Sequence, residues 1–264
     1  MFGFKFFKHP LALVLALAAF LVPAQAQDQI AYTTQIQGVD DPDLLASLEQ
    51  LSDAVNQEAD PPATVAALRR RVTRDLGRFQ KALQAAGHYG ATVRAEVRGE
   101  LPPVQVVYEI VPGVLYPFGK VEVVPAPDAP ADAHLPAPEA LGLAVGAPAT
   151  AGVILEAERR LLDRLRESGH PFPLVKDRVV IADHHVQHVE VRFEVDAGGE
   201  AVFGAVEVQG LETLDPIVVL DALPWERGAP FQQSQVAAAE KALYLLNLFS
   251  VVAVRTGDLV NDAG

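Results

Sequence analysis

The sequence predicts an α+β fold made of tandem copies of one unit, in which one strand, two helices and two further strands follow each other. One observation is an internal repeat: GVLYPFGKVEVV at 113–124 returns as GGEAVFGAVEVQ at 198–209, with six of twelve positions identical. The other is a change of period, because helical stripes give way to alternating strand-like segments. Each unit should therefore place two helices on one face of a three-stranded sheet.

Unit one is expected at 30–112 and begins with a strand, AYTTQIQG, and a helix, DPDLLASLEQLSDAV. A longer helix follows, because apolar residues recur there at helical spacing. That stripe consists of Leu68, Val72, Leu76, Phe79 and Leu83. Gly87 stands where the stripe ends and suits a left-handed C-terminal cap. The alternating segments at 92–97 and 103–110 predict a hairpin.

Unit two is expected at 113–197, with its first strand in the repeated stretch and a short, Pro-rich first helix near 136–143. Its longer helix has an apolar stripe of its own. The stripe consists of Ile154, Leu155, Leu161, Leu162 and Leu165. Gly169 takes the capping position. The segments at 174–181 and 189–195 alternate as a second hairpin does.

Unit three is expected at 198–264 and lacks part of the pattern. A first strand, a short helix in LDPIVVLDAL and a longer helix at 234–249 can be recognised. Ser234 suits its N-cap, and Asn247 stands at the position of the capping glycines, where Asn is the usual second choice. A strand follows at 249–254, but the last strand of the unit is missing or barely begun. Unit three is therefore predicted to be incomplete.

The repeated positions are expected to have structural roles. Gly113 and Gly198 should turn the chain out of one sheet, and Phe118 and Phe203 should fill the core of the next unit. The full set of predicted structural positions is Gly87, Gly113, Phe118, Gly119, Gly169, Gly198, Phe203, Gly204 and Asn247.

The first residues are typical of an export signal. Lysines in MFGFKFFKHP precede the apolar stretch LALVLALAAFLV, and PAQA ends in a small-residue cleavage pattern, so we expect a signal peptide at 1–26. The chain contains no cysteine, so disulfides cannot stabilise its cores. Its net charge of −13 argues against nucleic acid as a partner.

The sequence favours a protein that is not an enzyme. It contains no nucleophile elbow, phosphate-binding Gly-rich loop or HExxH motif. His88 and His170 each follow a capping glycine, but the third copy has Leu248 at that position. Because leucine cannot replace a catalytic imidazole, packing or capping explains these histidines better. No cofactor is expected.

One segment offers an alternative. HHVQH at 184–188 supplies three imidazoles beside Asp183, and His is a common metal ligand. A periplasmic metal-binding protein or hydrolase is therefore a second hypothesis. Because the segment lies on a predicted hairpin turn, solvated turn residues are the favoured interpretation.

Backbone chemistry remains as the predicted means of binding. A three-stranded sheet has two outer edges, and their unpaired N–H and C=O groups can accept an incoming strand. We expect partner binding at the first strand of each hairpin, at 91–97, 174–181 and 249–254. The candidate residues are Val93, Ala95, Val97, Val175, Val179, Ile181, Val251 and Ala253.

The repeated unit resembles the POTRA (polypeptide-transport-associated) domain over 30–255. Its sequence motifs are similar to those of the TamA-like members of the BamA/TamA outer-membrane assembly superfamily. LQAAGHY, LRESGHPF and LYLLNLF carry the resemblance at the helix ends, and VPGVLYPFGKVEV and VDAGGEAVFGAVEVQG carry it at the unit junctions. LDPIVVLDALPWERGAPFQQSQV carries it before the last helix.

The resemblance implies a periplasmic arm associated with the outer membrane of a Gram-negative cell. Its partners would be unfolded outer-membrane or autotransporter clients and an inner-membrane-anchored protein of the TamB type. Family members continue into a membrane β-barrel, whereas no run of alternating segments follows position 255. A fragment or truncated gene product is the favoured explanation, and a barrel supplied by a separate chain is the other. A POTRA arm of a two-partner secretion pore is an alternative assignment.

Overall fold

The computed structural model describes residues 29–99, 101–129, 134–257 and 259–260. The predicted signal peptide at 1–26 lies outside these residues. Within the described part of the chain, no helix combines the length and apolarity that crossing a membrane would need. The fold is α+β, with two three-stranded sheets, each covered by helices on one face.

Unit one has the predicted order of elements, with one extra break. Its elements are β1 (Tyr32–Gln37), α1 (Pro42–Leu51), α2 (Asp53–Asn56), α3 (Val65–Ala85), β2 (Thr92–Arg98) and β3 (Val104–Val111). The predicted first helix is divided at Ser52, whose extended backbone ends α1 and whose hydroxyl accepts from the Val55 N–H to cap α2. Thr64 caps α3 in the same way, through the Ala67 N–H.

The last strand of unit one is the central strand of its sheet. The strand order is β1-β3-β2, with β1 parallel and β2 antiparallel to β3. β3 therefore pairs with both neighbouring strands and contributes many of the buried side chains of the core. Beneath it, the rings of Phe79 and Tyr108 meet edge to face with centroids 4.9 Å apart. The predicted stripe of α3 packs there, with Leu68, Phe79 and Leu83 fully buried.

Unit two repeats this sheet. Its elements are β4 (Phe118–Pro125), a 3-10 turn (Pro138–Leu141), α4 (Ala151–Glu167), β5 (Leu174–Asp183) and β6 (His188–Asp196). The strand order is β4-β6-β5, again with the last strand in the centre. The predicted first helix is only the 3-10 turn, which the left-handed Gly142 ends. Leu155, assigned to the buried stripe of α4, is exposed, because it lies one position away from the face defined by Ile154 and Leu161.

Unit three contains α5 (Ile217–Leu220) and α6 (Gln233–Leu245). The predicted first strand of unit three, which lies in the repeated stretch 198–209, and the predicted strand at 249–254 belong to no ladder in the described residues. The physical reason lies in the order of the complete sheets. The first strand and the hairpin's opening strand never pair with each other there, because each pairs with the central strand. The described residues of unit three include no segment in that central position, so the two segments have no central strand to pair with among them.

Ser234 was predicted to cap the long helix of unit three, and this is wrong. The N-cap of α6 is Gln232, which makes no side-chain capping bond. The Ser234 N–H and hydroxyl donate instead to the two carboxylate oxygens of Glu167, at 2.7 and 2.6 Å. The end of α4 in unit two therefore satisfies an N–H in the first turn of α6.

Candidate binding edges and unit seams

The strand that opens the hairpin is an outer strand in both complete sheets. Among the described residues, β2 pairs with β3 alone and β5 pairs with β6 alone. Alternate N–H and C=O groups of an outer strand point away from the sheet and can pair with an incoming strand. The segments at 91–97 and 174–181, for which partner binding is predicted, thus lie at sheet edges.

The opposite edge of unit one is partly covered. The Thr34 N–H on β1 donates to a carboxylate oxygen of Glu58. The hydroxyls of Tyr32 and Thr34 both donate to the Ala54 carbonyl, at 2.8 and 3.3 Å. α2, through Ala54, and Glu58 just after it therefore contact this strand. An incoming strand would have to displace these contacts at β1, whereas none of them obstructs β2.

The candidate residues of β2 face the core and not a partner. Val93, Ala95 and Val97 are half-buried and pack against the apolar core of unit one. The opposite face of β2 is charged, and it includes an ion pair of 2.7 Å between Arg98 and Glu96. What this edge offers to a partner is therefore its backbone. Charged side chains on an outer strand also disfavour indiscriminate pairing.

The β5 edge is more apolar, because a β-bulge changes which residues face outward. The ladder shifts register between Val175 and Asp177. Val175 packs against the core, whereas Val179 and Ile181 fall on the outer face beyond the bulge. Ile181 is 54% exposed. Simple alternation from the sequence places all three on one face, and the bulge separates them.

The third candidate pair lies outside any strand. Val251 and Ala253 are exposed, Val251 by 85%, in a segment that the sequence predicts to be the opening strand of a hairpin. Their neighbours Val252 and Val254 are half-buried. The side chains of 251–254 thus alternate between exposed and half-buried, as they do in a strand, although this segment pairs with no other strand in the described residues.

The seam between units one and two is built from hydrogen bonds around a left-handed cap. Gly87 has φ +95°, as expected for the cap of α3. Its carbonyl accepts from the Tyr116 N–H at 3.0 Å. The His88 Nδ1–H donates to the Gly113 carbonyl at 3.3 Å, and Gly113 itself has φ +71°. The helix end of unit one therefore holds the start of unit two.

The seam between units two and three repeats these contacts. Gly169 has φ +105°, and its carbonyl accepts from the Ala201 N–H at 2.8 Å. The His170 Nδ1–H donates to the Gly198 carbonyl at 3.1 Å, and Gly198 has φ +72°. His170 is only 5% exposed. These two histidines therefore bind backbone at the seams. Asn247, at the third cap, has φ +54°.

A second repeated element of the seams was missed from the sequence. The tripeptide Gly-Ala-Pro occurs at 146–148 and again at 228–230. The N–H of Phe118 donates to the alanine carbonyl of the first at 2.9 Å, and the N–H of Phe203 to that of the second at 2.8 Å. The glycine N–H of each tripeptide donates back to the same phenylalanine carbonyl at 2.8 Å. The sequence does contain this repeat, because the two tripeptides are as far apart along the chain as the capping residues Gly87 and Gly169.

Gly119 is required for packing. A Cβ at this position would lie 2.5 Å from the ring of His188, the first residue of β6. Glycine therefore lets the central strand approach the start of β4. Gly204 is the equivalent residue in unit three, and a Cβ there would meet nothing within 4 Å.

The HHVQH turn does not assemble a metal site in the described residues, which contain no cluster of three potential ligands. Asp183 accepts from the N–H groups of His185 and Val186, and these bonds hold the pKa of that carboxyl below its usual value. The His184 Nδ1 lies 3.2 Å from the Tyr116 hydroxyl, towards the first seam, whereas His188 lies over Gly119. The rings of His184 and His188 therefore contact different parts of unit two.

No protein-family model matches the chain, and no curated protein matches it. Among solved structures, it is similar to POTRA3-5 of Haemophilus influenzae BamA, with a TM-score of 0.44 and 14% identity over 85% of this chain and 88% of that one. It is also similar to POTRA1-3 of the periplasmic domain of Omp85 from Anabaena, with a TM-score of 0.39 and 15% identity over 85% and 86% of the two chains. A third similar structure is the N-terminal domain of Omp85 from Thermosynechococcus elongatus, with a TM-score of 0.35, 19% identity and 85% and 88% coverage.

Proposed function

We propose that the chain is a POTRA-type periplasmic arm of an outer-membrane protein assembly factor, and that it binds extended client segments by β-augmentation. The observation that carries the proposal is shared by both complete units. In each, the strand that opens the hairpin lies at a sheet edge and has free backbone groups along one side. An unfolded outer-membrane protein is rich in alternating segments that could pair there.

The β5 edge is the preferred site within this proposal. Its outer face presents Val179 and Ile181, whereas the outer face of β2 presents charged residues. A client strand added beside β5 would extend the sheet and cover part of this apolar surface. The bulge at the start of β5 limits the length available for regular pairing to the residues after Asp177.

The finer assignment follows the sequence resemblance. We place the chain with the TamA-like members of the superfamily, exported to the periplasm by the signal at 1–26. A TamB-type inner-membrane-anchored partner would use the same kind of edge. The repeated unit and the seams support an arm of connected units, because each seam is a set of direct backbone hydrogen bonds and not a flexible linker.

A pair of proline variants tests the edge. Successive N–H groups of a strand point to opposite sides, so Val179→Pro and Val180→Pro remove different ones. The variant that loses an outward N–H should keep its sheet and reduce photocrosslinking of an unfolded β-barrel protein to β5. The other variant should lose hydrogen-exchange protection in β6. Crosslinking that is unchanged in the variant with the intact sheet would contradict the proposal.

A further inference from the structure

We propose that residues 57–62 form a strap that closes the β1 edge of unit one, and that Arg71 holds this strap in place. An incoming strand is then directed to the β2 edge of the same sheet. The inference rests on strand addition as the proposed function, and it assigns to the strap the choice between the two edges.

The strap meets the side of β1 that faces away from the sheet. The Ala31 carbonyl, just before β1, accepts from the Val104 N–H of β3 and therefore points into the sheet. Because successive backbone groups of an extended chain point to opposite sides, the N–H groups of Ile30 and Thr34 point outward. These are the donors that a strand added beside β1 would use.

The strap supplies an acceptor to each of these two donors. The Thr34 N–H donates to a carboxylate oxygen of Glu58, and the Ile30 N–H donates to the Pro62 carbonyl at 2.8 Å. Glu58 and Pro62 meet Thr34 and Ile30 in the opposite chain order and at the same spacing. The strap therefore runs antiparallel along the edge, where a partner strand would lie.

A side chain of α3 ties the strap to the body of unit one. The Arg71 Nη1 donates to the carbonyls of Gln57 and Asp60, at 3.3 and 3.1 Å. The same nitrogen lies 3.3 Å from the hydroxyl of Tyr32, whose side chain is buried in the core. Arg71 is itself half-buried. The strap is thus bound to α3 as well as to β1.

Two prolines explain how the strap can end the sheet. A strand added to an edge normally presents a new row of donors on its far side. Pro61 and Pro62 have no N–H, so neither can donate to a further strand. The strap therefore satisfies donors of β1 without forming a complete new edge beside it.

The β2 edge differs from the β1 edge in this respect. Within the described part of the chain, no hydrogen bond outside the ladder with β3 involves the backbone of 92–98. One sheet thus has an edge that its own chain covers and an edge that its own chain leaves open. The strap accounts for this difference in access.

Photocrosslinking at matched positions tests the strap. Thr33 on β1 and Arg94 on β2 are both exposed and flank β3 on the same face of the sheet. A photoreactive amino acid replaces one or the other in the full chain, and the probe is a urea-unfolded β-barrel protein. With the strap intact, crosslinking should be about threefold stronger or more at position 94 than at position 33.

Variants of the strap should open β1. Glu58→Ala removes the acceptor of the Thr34 N–H, and Arg71→Met releases the two carbonyls of the strap. Each should speed exchange of the Thr34 amide and raise crosslinking at position 33 about threefold or more, with position 94 unchanged. Retained protection of the β3 amides would show that the variants keep their fold.

Asp60→Ala is the matched control. It removes the same charge from the strap as Glu58→Ala does, but the described hydrogen bonds of Asp60 are made by its backbone. This variant should exchange and crosslink as the wild type does. A gain at position 33 in Asp60→Ala equal to that in Glu58→Ala would assign the effect to charge and overturn the role of the hydrogen bond.

Other outcomes separate this inference from the proposed function. Equal crosslinking at positions 33 and 94 in the wild type, or a Thr34 amide that exchanges equally fast in the wild type and Glu58→Ala, would overturn the strap. An unchanged signal at position 33 after the Thr34 amide is released would do the same. A gain at position 33 without any signal at position 94 would support the strap and contradict client binding at β2. Silence at both positions in every variant would contradict both proposals.

Discussion

Units one and two share a sheet but differ in the chemistry of their cores. Asp75 of α3 is fully buried and accepts hydrogen bonds from the Ser52 hydroxyl at 2.8 Å and the Tyr108 hydroxyl at 2.8 Å. Counted from the capping glycine and from the seam glycine, the same positions in unit two are Ala157 and Phe193. A carboxylate–phenol pair in one unit is thus an apolar pair in the other.

The difference follows from the helix that precedes α3. Asp75 also accepts from the N–H groups of Asp53 and Ala54, at 2.9 and 3.0 Å, at the start of α2. These groups have no partner within a helix, and a carboxylate suits a helix N-terminus. In the described residues of unit two, a 3-10 turn is the only helical element near this position. The sheet and the long helix are therefore the shared frame, and the variable first helix decides how polar the core is.

Removal of the buried Asp75 carboxylate should change the stability of unit one relative to unit two more than any other substitution considered below. Asp75→Ala leaves the donors of Ser52, Tyr108 and α2 without an acceptor. We expect unit one to lose about 3–5 kcal/mol of stability. Hydrogen exchange should speed up in β2 and β3 while β5 and β6 keep their protection. Equal loss in both sheets would show that the units unfold together.

A double-mutant cycle is the control for this prediction. Tyr108→Phe alone should cost about 1–2 kcal/mol, because it removes one donor to a buried carboxylate. In the Asp75→Ala background the same change should cost nothing or restore stability, because it recreates the pair found in unit two. Additive effects of the two changes would contradict the importance of their hydrogen bond.

Alkaline pH should sharpen the same contrast. Burial, followed by the nearby charge of Asp75, raises the pKa of Tyr108 well above its usual value of about 10. Below about pH 10 the Tyr108 hydroxyl keeps its proton in both the folded and the unfolded state. Above about pH 10 the hydroxyl loses its proton in the unfolded state first, so the stability of the fold decreases as the pH rises towards the folded-state pKa.

We expect unit one to lose about 1 kcal/mol between pH 10 and 11 through this group. Chemical unfolding at both pH values measures it, followed by NMR signals of β3 and β6. Tyr108→Phe should lose less over the same interval, whereas β6, with Phe193, should respond little. A pH response that is equal in wild type and Tyr108→Phe would contradict the assigned cause.

Much of this fold can be predicted from local patterns, and the parts that cannot have identifiable reasons. The stripe of α3, the left-handed caps at Gly87 and Asn247 and both complete hairpins are short-range features. Which strand lies in the centre depends on pairing between distant segments, and this decides whether 203–208 can form a ladder. The bulge after Val175 and the role of Glu167 also depend on partners far away in sequence.

The contact between Glu167 and Ser234 should give the smallest effect and tests whether the seams differ. Among the described residues, the second seam alone has this contact, since the position equivalent to Ser234 is Gly152 in unit two. Both groups are exposed, so Glu167→Ala should cost unit three only about 0.5–1 kcal/mol. Exchange at the first turn of α6 should increase while the start of α4 stays unchanged.

The mutated contact should also affect the orientation of unit three. Residual dipolar couplings of α4 and α6 would report a wider range of relative orientations in Glu167→Ala, whereas those of α3 and α4 would not change. His170 and Gly198 remain hydrogen-bonded in this variant, so the seam itself should persist. Couplings that match the wild type would mean that the other hydrogen bonds of the seam are enough to fix the orientation of unit three relative to unit two. The seam between units one and two, which has no equivalent of this contact among the described residues, would then be fixed in the same way.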